Sequence, residues 1–597
     1  MEYKSIEYQY NELVKLLRSE RNEAGFWSGR LSSSALATAV SVVAIKVNGD
    51  ISDQNRISDG MRWLLNHINA DGGFGDTPGS KSNVSTSLLS YAAIRYCGGE
   101  LEAAKSLVKD LESYLAQQNI NLRNDDITSS ILSFYGKDFT FSVPILSMLV
   151  ICGVLDEKAG TKIPQLPFEF TLLPASWYSW FNLRVVSYAI PALVAVGIFI
   201  FKIRKGHNPI MKWIRNRSIK PSLQKLETIV PKSGGFLEAI TLTAFVAMCL
   251  ISSGYGNNDI TDKGLRFLRN QQRDDGSWPI DTDLSTWVTT LSVKALGEKI
   301  SKEFSHQEIY KLLSHLKSIQ YKEVHPFNLA SPGGWGWTNS SGSVPDVDDT
   351  CGAILALLEL NKTIGSADDT IIDGCRWLIS LQNKDGGFPT FCKGWGRLPF
   401  DSSCADLTGH ALLALCQSLD NLVDKMSSEM QNSLKNCIFR SFGYLWKVQK
   451  ENGSWVPLWF GNQNTSDRSN PVYGTAKVYI YLKDCLLSDR LEENMKKDIG
   501  KLLSRAQYYL LKQQNSDGSW GGELGISGTI EESSLAISAL AGIDNSACLK
   551  GFDWLENEYI KNGMKSNPIG LYFAMLWYDE KMFPLIYYTE ALRRYLK

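Results

Sequence analysis

GCRWLISLQNKDGGF, Gly374 to Phe388, is one copy of a pattern that recurs along the chain. The others are GMRWLLNHINADGGF (Gly60 to Phe74), GLRFLRNQQRDDGSW (Gly264 to Trp278), FGYLWKVQKENGSW (Phe442 to Trp455) and AQYYLLKQQNSDGSW (Ala506 to Trp520), with RNEAGFW, ending at Trp27, as a degenerate copy. Each reads as an amphipathic helix, then Gln or a polar equivalent, then an Asp-Gly or Asn-Gly turn, then an aromatic. Glycine supplies the left-handed backbone that ends a helix, and the Asp or Asn before it supports the turn. The aromatic two residues on can then fold back onto the helix just closed. After most copies comes a helix of small and apolar residues, such as STSLLSYAAI, VTTLSVKAL, TCGAILALLEL, TGHALLALC and SSLAISALAGI. Two helices per unit, repeated, predict an all-α fold of helical hairpins closed into a ring or stack.

The composition fits that reading. At about 150 residues per domain, 597 residues would make three to four domains. Lys and Arg total 62 against 63 Asp and Glu, a net charge of −1, so no nucleic-acid-binding basic surface is written into the balance. Hydrophobic residues at 44%, charged residues at 21% and a mean hydropathy of −0.15 exclude a disordered chain and a multi-span membrane protein. Eleven cysteines are scattered without a C-x-x-C pair, which argues against a disulfide framework and a paired-cysteine zinc site. The N-terminal stretch lacks the apolar core of a signal peptide, and the mature chain is expected to start at Met1. Seventeen tryptophans are the unusual entry in the composition.

The segment from about Tyr135 to Leu237 breaks the repeat rhythm. It is rich in Pro and aromatics and contains Val185 to Phe201 (VVSYAIPALVAVGIFIF), followed by Lys202, Arg204, Lys205, Lys212, Arg215, Arg217 and Lys220. The apolar run is at the short edge of a bilayer span and carries Pro191. A buried helix and a patch dipping into one leaflet both fit it, and the basic flank fits an anionic leaflet. The expectation is an insertion facing lipid or a substrate entrance.

The chemistry is carried by GGWGWTNSSGSVPDVDDTCGAILAL, Gly333 to Leu357. Asp346, Asp348 and Asp349 fall within four residues at the start of an otherwise apolar helix, more carboxylate than capping requires. Crowded carboxylates raise one another's pKa, so at least one can stay protonated near neutral pH and serve as an acid. In LPFDSSCADLTGHALLAL, Asp406 and His410 are spaced i, i+4 on one helix face, so that a protonated His410 held by Asp406 could stabilise the conjugate base of the acid. Trp335, Trp337, Trp287, Phe391, Trp459 and Tyr473 supply aromatic faces, which stabilise a cation without a lone pair to quench it. An acid beside an aromatic-lined apolar cavity is what alkene protonation and carbocation cyclisation require. Cys404, Asp406 and His410 are types that could hold zinc, but their spacing matches no strong metal motif. DVDD could bind magnesium for diphosphate ionisation, but the aromatics around it favour a different chemistry.

With these residues the chain resembles the squalene-hopene cyclase family, the class II terpene cyclases. The repeats look like the family's QW motifs, and PDVDDT matches its D-x-D-D-T acid motif. GGWGW, DLTGH, GSWVPLWFGNQ with PVYGT, LPFEFTLLPASWYSWFNL and FPLIYYTEALRRYLK follow in family order. The resemblance implies two α/α barrels with a polyprene bound in a central cavity. The barrels would be residues 18–270, with a membrane-contact and channel insertion around 137–235, and residues 1–17 plus 271–597, which carry the acid. Asp348 would donate the proton, supported by Asp346 and Asp349. His410 would pair with it, Asp406 would orient His410, and Tyr473 would lie near the reprotonation route. Trp287, Trp335, Trp337, Phe391 and Trp459 would line the cavity.

The resemblance implies no cofactor and no metal. It implies a long polyprene such as squalene as substrate, monotopic attachment to the cytoplasmic side of a membrane, and a homodimer as a candidate assembly. A class II cyclase of a shorter or prenylated isoprenoid is the alternative, ahead of a zinc-dependent protein prenyltransferase β-like subunit. The chain departs from the family where Asn567 and Leu571 stand near two cavity Phe positions and Tyr188 near a Trp. The stretch between Phe400 and Asp406 is also shortened.

Overall fold

The computed structural model describes the chain except residues 1–2, 100–101, 121, 123–126, 136–138, 157–159, 174–189, 205–207, 392–400 and 572–575. It divides into two compact units. One comprises Met1–Arg30, Asp283–Asn339 and Val344–Lys597, and the other Leu31–Thr282 with Ser340–Ser343.

The repeat pattern acts through three recurring hydrogen bonds. The indole N–H of the closing Trp reaches back to a carbonyl ten residues earlier in most copies. Trp278 donates to Leu268 O at 2.7 Å, Trp455 to Leu445 O at 3.0 Å and Trp520 to Leu510 O at 2.8 Å. The Gln before the turn ties its own turn to the next outer helix. Gln382 Nε2 donates to Gly386 O and Cys437 O, and Gln449 Nε2 to Gly453 O and Leu502 O. The backbone N–H of the aromatic donates to a Thr or Ser on the following inner helix, as Phe388 does to Thr408 and Trp455 to Thr475. Gly386 takes φ +93°, and a Cβ there would collide with the carbonyl of Arg440, so the turn requires glycine twice over. Trp27 closes the degenerate copy in the same way, donating to Leu17 O and, through its backbone, to Thr289.

In the larger unit the helices Ser285–Leu296, Val347–Ile364, Ala405–Leu422, Pro471–Cys485, Ile530–Leu540 and Phe583–Leu596 pack in that order, and the last returns to the first. This closed inner ring is buried on nearly all sides, which small apolar sequences permit. Outer helices His306–Ser318, Asp368–Leu381, Ser428–Val448, Glu493–Lys512, Asn545–Asn562 and the N-terminal Tyr3–Ser19 pack around it. They are amphipathic: Glu493–Lys512 buries Ile499, Leu502, Leu503, Ala506, Tyr509 and Leu510, one stripe at helical spacing. Because each inner helix is followed by an outer one running back, the inner helices are parallel and their N-termini share one end of the ring. The unit is an α/α barrel.

The smaller unit repeats the plan with Ala35–Asn48, Val84–Cys97, Phe139–Ile151, Ile190–Ile203 and Ile240–Ser252 as a closed inner ring. Within the described part of the apolar run, Leu193 to Phe201 is buried in Ile190–Ile203, a stave of this ring, and Lys212, Arg215, Arg217 and Lys220 lie on the outer helix Pro209–Ile229. No helix among the described residues is long and apolar enough to cross a membrane. The division between units also falls later than residues 17 and 270, at Arg30 and Thr282. The Trp27 closure onto Leu17 and Thr289 holds that first stretch to the acid-bearing barrel.

Candidate active site

The acid motif lies where the N-terminus of the inner helix Val347–Ile364 meets two extended segments. Asp346 is the N-cap: its side chain accepts from Asp349 N at 2.9 Å, its own N–H donates to Trp335 O at 2.9 Å, and Val347 N donates to Thr390 O at 3.0 Å. The clamp that orients the carboxylates thus brings Phe391 beside them. Trp337 is held from the other side, its carbonyl accepting from Thr286 N at 3.0 Å in the first turn of Ser285–Leu296.

The three carboxyls differ in environment. Asp346 and Asp349 are each 4% exposed, while Asp348 keeps 15% of its side-chain surface accessible. Burial pushes Asp346 up to about 8, against the pull of the Asp349 amide. Burial, then the neighbouring Asp346 and Asp348 charges, holds Asp349 well above the usual carboxylate range. Both are pushed toward the neutral form, and Asp346 Oδ2 and Asp349 Oδ1 have no hydrogen-bond partner among the described residues. Asp348 goes the other way. Burial alone would raise it, but the His410 hydrogen bond and charge, with Lys477 and Lys294 behind, hold it below the ordinary value. His410 Nδ1 lies 2.6 Å from Asp348 Oδ1, and the imidazole stacks on Tyr481, centroids 4.6 Å apart and 8° from parallel. Burial lowers the His410 pKa while Asp348 opposes that shift, so this pair is the place where a proton is held in tension.

Aromatic side chains flank the acid in two groups. Trp337, Phe391 and Trp459 form one edge-to-face series, with centroids 6.0 and 5.3 Å apart, and all three are half-buried, as Asp348 is. The Trp459 indole N–H donates to Thr390 Oγ1. Trp287 stacks on Phe460 at 5.2 Å and meets Phe583 edge-on at 4.9 Å, and Phe460 packs on Tyr473 at 5.0 Å.

Two expectations are corrected. Trp335 is not a cavity wall: it is fully buried, its indole donates to Leu316 O at 2.7 Å, and Gln320 joins Gly333 O to Thr370 O. It closes a repeat whose turn is lengthened between Gln320 and Gly333, which hid the copy from the spacing. Asp406 is not bonded to His410. Its Oδ1 accepts from the Cys404 thiol, and the imidazole leans off the shared helix face toward Asp348 on the neighbouring helix.

Asn567 has a partner of its own, donating from its backbone N and its Nδ2 to the buried Glu531 at 2.9 and 3.2 Å. Tyr188 and Phe400 lie outside the described residues, and Leu571 is described only as backbone of the short strand Ile569–Leu571. The sequence reading missed Phe460, Tyr481, Tyr587, Lys294 and Lys477. The available signal was the i, i+4 series Tyr473, Lys477, Tyr481 in an otherwise apolar run.

Comparison with known proteins places this architecture. Residues 283–568 match the squalene-hopene cyclase C-terminal domain and residues 11–125 its N-terminal domain. Over 532 residues the chain is 24% identical to the squalene–hopene cyclase of Alicyclobacillus acidocaldarius, covering 79% of this chain and 77% of that one. It is 22% identical over 573 residues to the enfumafungin synthase of Hormonema carpetanum, covering 83% of this chain and 40% of that one. It is 25% identical over 601 residues to a terpene cyclase-glycosyl transferase fusion protein of Humicola fuscoatra, covering 84% and 41%. The chain therefore spans about two fifths of the length of these two fungal relatives. Two domain matches in order, over an acid motif set in a ring of parallel helices, assign the chain to the squalene-hopene cyclase family.

Proposed function

We propose that the chain is a class II terpene cyclase that starts the cyclisation of a long polyprene by protonating its terminal alkene. The observation that carries this reading is the pairing of Asp348 with His410 beside the half-buried Trp337–Phe391–Trp459 series. In the first step the proton shared by Asp348 and His410 is placed on Asp348, the Asp348 O–H bond breaks and the alkene π pair forms a new C–H bond. The positive charge is left on the more substituted carbon and the carboxylate on Asp348. His410 stabilises that carboxylate, and the raised values of Asp346 and Asp349 keep negative charge from accumulating beside it. Each later alkene attacks the cation in turn, and the aromatic faces stabilise the charge as it moves. Loss of a proton or addition of water discharges the last cation.

Squalene is the proposed substrate, in line with what the relatives' names state for them, and a shorter or prenylated isoprenoid is the second reading. The Asn567–Glu531 pair favours the second reading, because it puts a polar group near a position where the family carries a ring face. Incubation of purified protein in detergent with squalene and with C15 to C25 isoprenoids, followed by product analysis, decides between them. Conversion of squalene to cyclic hydrocarbons is expected. Turnover of only the shorter chains would replace the substrate, and no turnover of any would reject the activity.

Attachment to the cytoplasmic face of a membrane is part of the same proposal. It rests on Ile210 and Trp213, 69% and 58% exposed on the outer helix Pro209–Ile229, with Lys212, Arg215, Arg217 and Lys220 on the same helix. Co-sedimentation with anionic vesicles, lost in an Ile210→Ser/Trp213→Ser variant, tests it.

A further inference from the structure

Against the tyrosine on which His410 stacks, the barrel buries a charge that the proposed chemistry does not use. Lys477, 3% exposed, projects from the inner helix Pro471–Cys485, and its Nζ makes no hydrogen bond among the described residues. It lies 5.8, 5.4 and 5.7 Å from the ring centroids of Tyr473, Tyr481 and Tyr587, an aromatic cage. The three phenol oxygens are also without hydrogen-bond partners among the described residues. One wall of this cage, Tyr481, is the ring on which His410 stacks at 4.6 Å, and Lys294 approaches the same ring to 4.9 Å. A lone ammonium in an apolar interior is costly, so its retention calls for a charge to act upon.

The groups around it identify that charge. Ser285–Leu296 contributes Lys294, which is 3.3 Å from Glu590. Phe583–Leu596 contributes Tyr587 and Glu590, and Glu590 is also bound by Arg594, which in turn holds Asp484. Ala405–Leu422 contributes His410 and Asp406, and Asp406 is bonded to Cys404. On Ile530–Leu540, Glu531 is bonded to Asn567 and Glu532 to Asn462 and Asn470. Burial pushes Asp346 and Asp349 above the usual carboxylate range. Among the described residues the carboxylate that acts most on Lys477 is Asp348, whose other neighbour is His410. Burial works against the charge on Lys477, but the Tyr481 and Tyr587 phenol groups and the Asp348 carboxylate keep it on.

We infer that Lys477 is the positioning residue that sets the acid strength of Asp348: its caged ammonium, which shares the Tyr481 ring with His410, stabilises the carboxylate left when the proton is given to the alkene. This rests on the proton-donor reading of Asp348. The cation acts through the field and never touches substrate. A nearby positive charge has two opposed consequences: it makes the acid stronger, and it confines the protonated form to lower pH.

Those consequences set the test. Lys477→Met, compared with wild type across a pH series, is expected to lower the acid-side plateau of kcat about tenfold and to move the alkaline limb up by about one pH unit. The two curves should therefore converge or cross at high pH, with KM unchanged. Lys477→Arg should keep the wild-type limb, and Lys294→Met should move it the same way by less. A structural role would lower the whole profile without moving the limb, and a superimposable limb in Lys477→Met overturns the inference.

If Lys477→Met does not fold, Lys477→Gln and Lys294→Met carry the same test. Infrared titration of the protonated-carboxyl band, with Asp348→Asn as the subtraction, reads the Asp348 pKa without substrate. It should move up in either lysine variant, and no movement overturns the inference. Absence of turnover in wild type would reject the cyclase reading alone, because the infrared result stands by itself.

Discussion

Carboxylates are buried in both units, to opposite ends. In the Leu31–Thr282 unit, Asp53 is 2% exposed and is met by Arg269, whose Nε and Nη2 donate to its two oxygens at 2.7 to 3.1 Å, and Glu169 accepts from Arg215 Nε at 3.0 Å. Asp53 is answered by a guanidinium fork and Glu169 by a single guanidinium N–H, and each contact ties one helix or loop to another. In the larger unit, Asp346 and Asp349 lie beside a third carboxyl, form no ion pair among the described residues, and are pushed by burial above the usual carboxylate range. Burial by itself therefore does not mark a reactive carboxyl. Crowding without a matched cation does, and Asp348 is set apart from its neighbours because His410, Lys477 and Lys294 act on it while it alone keeps appreciable surface.

The contrast breaks most decisively at Asp348. Asp348→Asn should lower turnover by at least ~10³-fold, read by product formation, and should lower the melting temperature only modestly, because the bond to His410 is weakened while the chain stays folded. Loss of turnover that merely tracks loss of folded protein would make Asp348 a structural carboxylate after all. Next in size is a pair of tryptophans two residues apart. Trp335→Ala should cost about 3–5 kcal/mol in denaturant unfolding, because a fully buried ring and its hydrogen bond to Leu316 are lost. Trp337→Ala should leave stability nearly unchanged and instead alter rate or product pattern.

Glu580 sharpens the comparison, as a buried carboxyl outside the acid cluster that accepts from Arg30 N and Met582 N at 2.7 and 3.1 Å. Burial pushes it up to about 7. A raised folded-state value gives stability that is fully present below the ordinary Glu pKa and is lost as pH rises through about 7. Glu580→Gln should flatten that fall, a difference of about 3 kcal/mol between the acid and alkaline ends, and should leave turnover intact. The smallest effect belongs to the paired class. Asp53→Asn should cost about 2 kcal/mol, because Arg269 keeps some solvent, and should leave the pH profile of turnover where it was.

Much of this molecule was legible as sequence, because its regularity is local. The Gln-to-turn-to-aromatic spacing determined the repeats, since the hydrogen bonds that close each copy join residues close in the chain, as Trp520 does with Leu510 and Gln514 with Gly518. The three aspartates and the helix they open were equally local, as were the alternating helix types that make a ring. What spacing could not decide was partnership across the ring. Asp406 and His410 share a helix face, yet His410 turns to Asp348 sixty-two residues away, because the inner helices bring their first turns together at one end. Trp335 and Trp337 have the same neighbours in sequence, and the Leu316 carbonyl on an outer helix separates a repeat closure from a half-buried ring set against Phe391. Lys477 reads as one charge in an apolar run until three tyrosines from two helices cage it. Short-range spacing fixes which hydrogen bonds a segment can close upon itself. Which buried charges face one another, and hence which proton is acidic, is decided by the packing of parallel helices that the chain brings together from afar.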